Sequence, residues 1–151
     1  MRYFIDLSYN GTHYHGWQVQ PNAVTVQATL NKALSVLLKS PTDRLGAGRT
    51  DTGVHAVQMV AHFDTEVSFD REQMPYKLNA FLPKDIAVNT IKSVHEAAHA
   101  RFDAISRSYI YKITTSKNVF EHDKCHCFTR PLDVNRMNEA SRILRGYKAV
   151  S

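Results

Sequence analysis

Tyr3-Phe4-Ile5-Asp6-Leu7-Ser8-Tyr9 alternates Tyr3, Ile5, Leu7 and Tyr9 with Phe4, Asp6 and Ser8. A period of two belongs to a strand with one buried face. Asn10-Gly11-Thr12 follows as a turn signal. His13 to Pro21, rich in aromatic and amide groups without a clear period, reads as a loop covering the core or as a surface that stacks bases. Thr25 is an N-cap candidate. Val26, Leu30, Ala33, Leu34, Leu37 and Leu38 then recur at helical spacing up to Ser40-Pro41.

Beyond a polar loop, Val57, Met59, Ala61 and Phe63 mark a second strand. Asp70 to Leu82 reads as a helix, with Asp70 and Gln73 in a capping-box arrangement and Pro75 disturbing its first turn. Ile86 to Val94 predicts a strand whose period slips near Thr90, as at a bulge. His95 to Phe102 is irregular, and Tyr109, Tyr111 and Ile113 alternate as a fourth strand. Ser116 to Arg130 is a polar loop. Val134, Met137, Ala140, Ile143 and Leu144 follow Asp133 at helical spacing, with Gly146 as the C-terminal cap. Four strands and three helices in mixed order predict an α+β fold, helices packed on one face of a largely antiparallel mixed sheet. The other face, if bare, suits RNA.

The chain has 151 residues, 43% apolar and 22% charged, which marks a globular chain. A net charge of +5 and a pI near 9.3 favour an anionic partner. Nucleic acid is the commonest, and seven tyrosines, seven phenylalanines and one tryptophan supply stacking faces. Two cysteines, Cys125 and Cys127, are too few and too close for a disulfide framework and point to a reducing compartment. With neither a signal-peptide pattern nor a membrane-length apolar run, the expected location is the cytoplasm.

The chemistry concentrates in Gly48-Arg49-Thr50-Asp51-Thr52-Gly53-Val54-His55-Ala56. The plain reading is a polar turn with an incidental ion pair. The sharper one makes Asp51 a reactive carboxylate, its ionised form favoured by Arg49 two residues away. Asp51-Thr52-Gly53 is also the tripeptide of aspartic proteases. Those sites need two carboxylates sharing a proton and sit in nearly all-β folds, so the protease reading is the weakest. Gly46-Ala47-Gly48 lacks the Gly-Lys-Ser/Thr ending of a phosphate loop. His122, Cys125, His126 and Cys127 crowd too closely to surround one tetrahedral metal, so no metal site is expected, and His13 and His62 read as ordinary surface or core residues. A carboxylate can serve as nucleophile or base, and acting on a nucleoside requires the base to leave its stack. From spacing alone, Tyr109 and Tyr111 read as core filling.

The Gly48–Ala56 stretch closely resembles the active-site motif of the TruA family of tRNA pseudouridine synthases. The resemblance extends through Tyr9-Asn10-Gly11-Thr12-His13-Tyr14-His15-Gly16-Trp17-Gln18, Asn79-Ala80-Phe81-Leu82-Pro83-Lys84-Asp85-Ile86, His99-Ala100-Arg101-Phe102 and Arg107-Ser108-Tyr109-Ile110-Tyr111. It implies the pseudouridine synthase fold with a ferredoxin-like N-terminal half. It also implies an isomerase that converts uridine to pseudouridine in the tRNA anticodon stem-loop, at tRNA positions 38 to 40, with no cofactor and as a homodimer.

By resemblance Asp51 is the catalytic aspartate, attacking ribose C1′ or assisting glycosidic cleavage. Arg49 pairs with it and helps extrude the base, while Thr50 and His55 support the site. Tyr109 stacks on the target, and Gln18, Arg101 and Lys112 bind RNA. Small departures are Asn10 where an aspartate is common, His15 where an aromatic is usual, and Thr52 where alanine is frequent. The implied domains are 1–131, carrying the catalytic loop, and 132–151, the first helix of a second domain. Family members continue into a second α/β half that closes the cleft, so these residues alone are expected to be weak or inactive. The competing reading is an RNA-binding module without catalysis.

Overall fold

The computed structural model describes residues 1–42 and 45–147. Residues 148–151, the end of the expected second-domain segment, lie outside them. The chain divides into two compact units, Met1–Ser108 and Tyr109–Ser151.

In the first unit, β1 (Arg2–Tyr9) is central. It pairs antiparallel with β3 (Ala56–Asp64) on one side and β4 (Ile86–Val94) on the other. A two-residue β2 (Gly46–Ala47) adds to β3, giving the order β2-β3-β1-β4. The period of two holds on β1, where Tyr3, Ile5, Leu7 and Tyr9 are all buried. On β3 it holds only in part: Ala61 and Phe63 are buried, but so is His62, and Val57 is 90% exposed. The slip on β4 is real. Asp6 pairs with Thr90 and Leu7 with Val88, leaving Asn89 as the extra residue of a bulge. Beside it the Asn79 side chain donates to the Val88 carbonyl at 2.9 Å and accepts from the Val88 amide at 2.7 Å.

Helix α1 (Val26–Leu38) begins as its sequence predicts, with the buried Thr25 hydroxyl accepting from the Ala28 amide. It ends where Lys39 turns left-handed, two residues before Pro41. Helix α2 (Gln73–Phe81) starts later than its expected range. Asp70 accepts from the amides of Glu72 and Gln73, so its carboxylate caps the approach. Pro75 stands in the first turn, where a missing N–H costs nothing. Val26, Leu30, Ala33 and Leu34 of α1, with Met74 and Leu78 of α2, join the apolar face of β1 in one core. The fold is the expected α+β arrangement, a four-stranded antiparallel sheet with helices packed on it.

The opposite face is not bare. Arg2 grips Asp64 through two 2.8 Å contacts and donates to the Ala98 carbonyl. Asp6 accepts from the amides of Gln58 and Asn89. Phe4 and His62 lie together, and the 95–102 segment covers His62.

The second unit corrects one reading. Tyr109 to Ile113 is not a strand: only β5 (Ile113–Thr114) forms, pairing parallel with β6 (His126–Cys127). Tyr109 and Tyr111 are 77% and 76% exposed. Their alternation describes a face to be buried, but a strand also needs a neighbour's backbone, and here only two residues find one. The fourth strand of the sheet is instead β2, too short and too small in side chain to show a period. Helix α3 (Val134–Leu144) forms with Asp133 accepting from the Arg136 amide. Its apolar residues Val134, Met137, Ile143 and Leu144 are exposed. Gly146 follows the C-cap, Arg145, without adopting positive φ.

Thr25→Ala removes a fully buried cap and should lower the stability of the first unit by about 1 kcal/mol. Urea unfolding followed by circular dichroism measures this, and Ser40→Ala serves as a control with a smaller effect.

Candidate active site

The loop between β2 and β3 is built from a turn and held from one side. The Asp51 carbonyl accepts from the Val54 amide at 3.2 Å, closing a β-turn over Asp51-Thr52-Gly53-Val54. Its third residue, Gly53, has φ +78, while Thr52 keeps negative φ. That is the type II pattern, which favours glycine at the third position. Four hydrogen bonds tie the loop to residues 9–17. The Tyr9 phenol meets the Thr50 hydroxyl at 2.8 Å, and the Gly11 amide donates to His55 Nδ1 at 2.9 Å. The Gly53 amide donates to the Tyr14 carbonyl at 3.2 Å, and the Trp17 amide to the Thr50 carbonyl at 3.1 Å. Gly16, at φ +78, brings its backbone so close to Thr50 that a Cβ would lie 2.3 Å from that carbonyl.

The holding segment is anchored in turn. Tyr14 and Trp17 are buried, which makes the core-covering reading of this loop correct. Asn10 opens a short 3₁₀ turn, Gly11–His13, by accepting from the Thr12 amide, in place of a simple two-residue turn. The Tyr14 phenol donates to Asp85 at 2.7 Å, and the Asn10 amide donates to the Asp85 carbonyl. Burial foremost, with the Asp85 hydrogen bond, pushes the Tyr14 phenol well above its ordinary range. Burial likewise raises Tyr9, against the lowering effect of Thr50. Both phenols are therefore fixed, protonated props.

Against this frame the Asp51 side chain is exposed and forms no hydrogen bond or ion pair with the described residues. The expected Arg49–Asp51 pair is not formed. Both side chains lie in solvent, where nothing offsets the entropy of holding two exposed groups together. Arg49 instead lines a groove of about 230 Å³ together with Trp17, Gln18, Leu45, Arg101 and Phe102. Three expected residues, Gln18, Arg49 and Arg101, therefore share one wall system. Thr50 and His55 hold the loop. Tyr109 and Lys112 belong to the second unit and are both exposed.

The family scan matches tRNA pseudouridine synthase over residues 7–103. The chain belongs to the tRNA pseudouridine synthase family. It is 51% identical over 147 residues to tRNA pseudouridine synthase A of Bacteroides fragilis, covering 97% of this chain and 58% of that relative. To the protein of the same name in Bacillus subtilis it is 45% identical over 151 residues, covering 61% of it. The chain thus spans somewhat over half the length of these synthases.

One residue that braces the groove from behind reads in the sequence only as an ordinary surface or core histidine. His62 is buried, and its Nδ1 accepts from the Ala100 amide at 3.2 Å while the ring bonds to the Gly46 backbone. It joins β2 to the 98–102 segment, two walls of the groove. Burial first, then His99 and Arg2, lower its imidazole below the ordinary value of 6.5, with Asp64 and Gly46 opposing. The alternation of β3 puts His62 on the outward phase, so the sequence held no signal for its burial.

The neutral His62 ring fits the fold, whereas the unfolded chain takes up a proton near pH 6.5. Its contribution is complete above that value and declines as pH falls toward the lower folded value. Asp64 acts further down. The Arg2 hydrogen bond holds its carboxyl below 3.8, so that contribution is lost only as pH falls below 3.8. Denaturant midpoints should fall as pH drops through and below 6.5, and His62→Gln should flatten that slope. Gly53→Ala meets no atom and should cost about 1–2 kcal/mol for its φ alone. Gly16→Ala adds the Thr50 clash and should cost more, as paired urea titrations would show.

Proposed function

We propose that this chain carries the reactive half of an isomerase that converts uridine to pseudouridine in tRNA. The observation that bears most weight is the Asp51 turn: an exposed carboxylate on a loop fixed by four hydrogen bonds to a buried aromatic segment. Such preorganisation holds a reacting group in place without a reorganisation cost during the chemical step. The family match over residues 7–103 supports the same reading.

In this proposal Asp51 attacks ribose C1′ or assists departure of the base from it. The N1–C1′ bond breaks, the base turns, and a C5–C1′ bond forms; where Asp51 has attacked, its O–C1′ ester bond breaks in that last step and the carboxylate is released. The C5 proton passes to solvent and N1 takes one up, so the product is an isomer and no redox partner enters. Asp51 must reach a base taken out of its stack. Arg49, unpaired with Asp51 and facing the groove, is placed to occupy RNA that the base vacates. Gln18, Arg101 and Lys112 contact RNA, Tyr109 stacks on the target, and Thr50 and His55 keep the loop in register.

The substrate proposed is the anticodon stem-loop, at positions 38 to 40, in the cytoplasm. Among the described residues no helix is long and apolar enough to cross a membrane. The full-length assembly is proposed to be a homodimer, and residues 132–151 to begin its second domain. Because the chain spans 58% of its Bacteroides relative, this stretch alone encloses a flipped base poorly.

Tritium release from anticodon stem-loop RNA labelled at uridine C5 tests these points. The chain alone should turn over at least about 10²-fold more slowly than a full-length relative, for want of an enclosed, preorganised site. In a full-length protein containing these residues, Asp51→Ala should lower turnover by at least about 10²-fold. Retained turnover would remove Asp51 from the chemistry. RNA binding that survives Asp51→Ala, without turnover in either form, would favour the non-catalytic module.

A further inference from the structure

Beside the reactive loop, the groove ends in an exposed aromatic ring that the proposed chemistry does not use. Phe102 is 72% exposed and lines the same groove as Arg49 and Arg101. It is a fixed ring all the same. Its amide donates to the His99 carbonyl at 3.1 Å, and the His99 amide donates to Asp103 at 2.7 Å. The His99 and Phe102 rings lie 4.2 Å apart at an angle of 32°, and His99 rests on buried His62 at 4.4 Å. The Arg101 guanidinium stands 5.5 Å from the Phe102 ring centre. A large apolar surface is thus held toward solvent by a ring stack rooted in the sheet.

We propose that Phe102, backed by His99, is a stacking platform for a second unpaired nucleobase of the RNA, distinct from the base presented to Asp51. This rests on the RNA reading above and extends it. None of the groove's ten lining residues carries a carboxylate, while two carry guanidiniums, so the groove fits an anionic polymer. Stacking on an aromatic ring, with guanidinium contacts to phosphate or base, is how proteins hold splayed single-stranded bases. Gln27 is spent within the fold, donating to the Leu45 carbonyl and accepting from the Val19 amide. Gln18 forms no such bond among the described residues, so its amide is available to a base edge. Neither a second copy of the chain nor an apolar peptide would draw on both guanidiniums in this way.

The test uses this chain and anticodon stem-loop RNAs carrying 2-aminopurine at one loop position at a time. Binding should quench the probe at one position other than the isomerised uridine. Phe102→Leu should abolish that quenching and weaken RNA affinity by about 5- to 100-fold, the value of one stacked base. Phe102→Trp should restore both. An RNA with an abasic nucleotide at that position should bind correspondingly weakly and no longer respond to Phe102→Leu. Unchanged affinity in Phe102→Leu, equal losses in the Leu and Trp variants, a loss that persists on the abasic RNA, or no RNA binding by the chain would each overturn the platform. Isomerisation is read by tritium release and the platform by quenching and affinity, so a failed isomerisation assay and a failed platform give different results.

Discussion

The bond between the Tyr9 phenol and the Thr50 hydroxyl, with its three backbone companions, is the constraint from which the site follows. A polar loop carrying an exposed carboxylate has little apolar surface of its own to hold it still. Here the loop borrows rigidity from the segment after β1, which is itself fixed by burial of Tyr14 and Trp17 and by the bond from Tyr14 to Asp85. Three stretches far apart in sequence, around residues 9–17, 50–55 and 85, form one connected unit. Two glycines at positive φ let that unit close, one inside the turn and one where backbone meets backbone.

The same unit separates two kinds of chemistry. Asp51 is exposed on the turn and pairs with none of the described residues, whereas the guanidiniums of Arg49 and Arg101 line the adjoining groove. Separation has a physical consequence: a carboxylate paired with arginine would present less negative charge to a sugar carbon, and the arginine would be less available to phosphate. His62 fixes the spacing of the groove from beneath by bonding to both β2 and the segment after β4. The face of the sheet opposite the helices is covered in places by the Arg2–Asp64 pair and by the Asp6 amide contacts.

Much of the frame is legible along the chain because it is local. The alternation of β1, the stripe and cap of α1, and the break in the side-chain pattern of β4 can each be read within a few residues. The Asp51 loop is legible too, since an aspartate between an arginine and a glycine before a strand is a narrow pattern. Tyr109 to Ile113 carries the same alternation as β1 and yet pairs over only two residues. Periodicity records which side chains could share a face, not whether another backbone arrives to bond with that strand. β2 shows the converse, for Gly46 and Ala47 have no pattern and become a strand because β3 offers an edge.

By itself, then, the sequence determined the secondary elements whose side-chain pattern is local, the family, and the carboxylate on which the proposed chemistry turns. Only the tertiary structure decided that Arg49 turns from Asp51 to the groove, that His62 joins two of its walls, and that Phe102 stands ready beside them. Those outcomes rest on contacts between residues tens of positions apart, set by sheet register and loop packing. No local pattern encodes them.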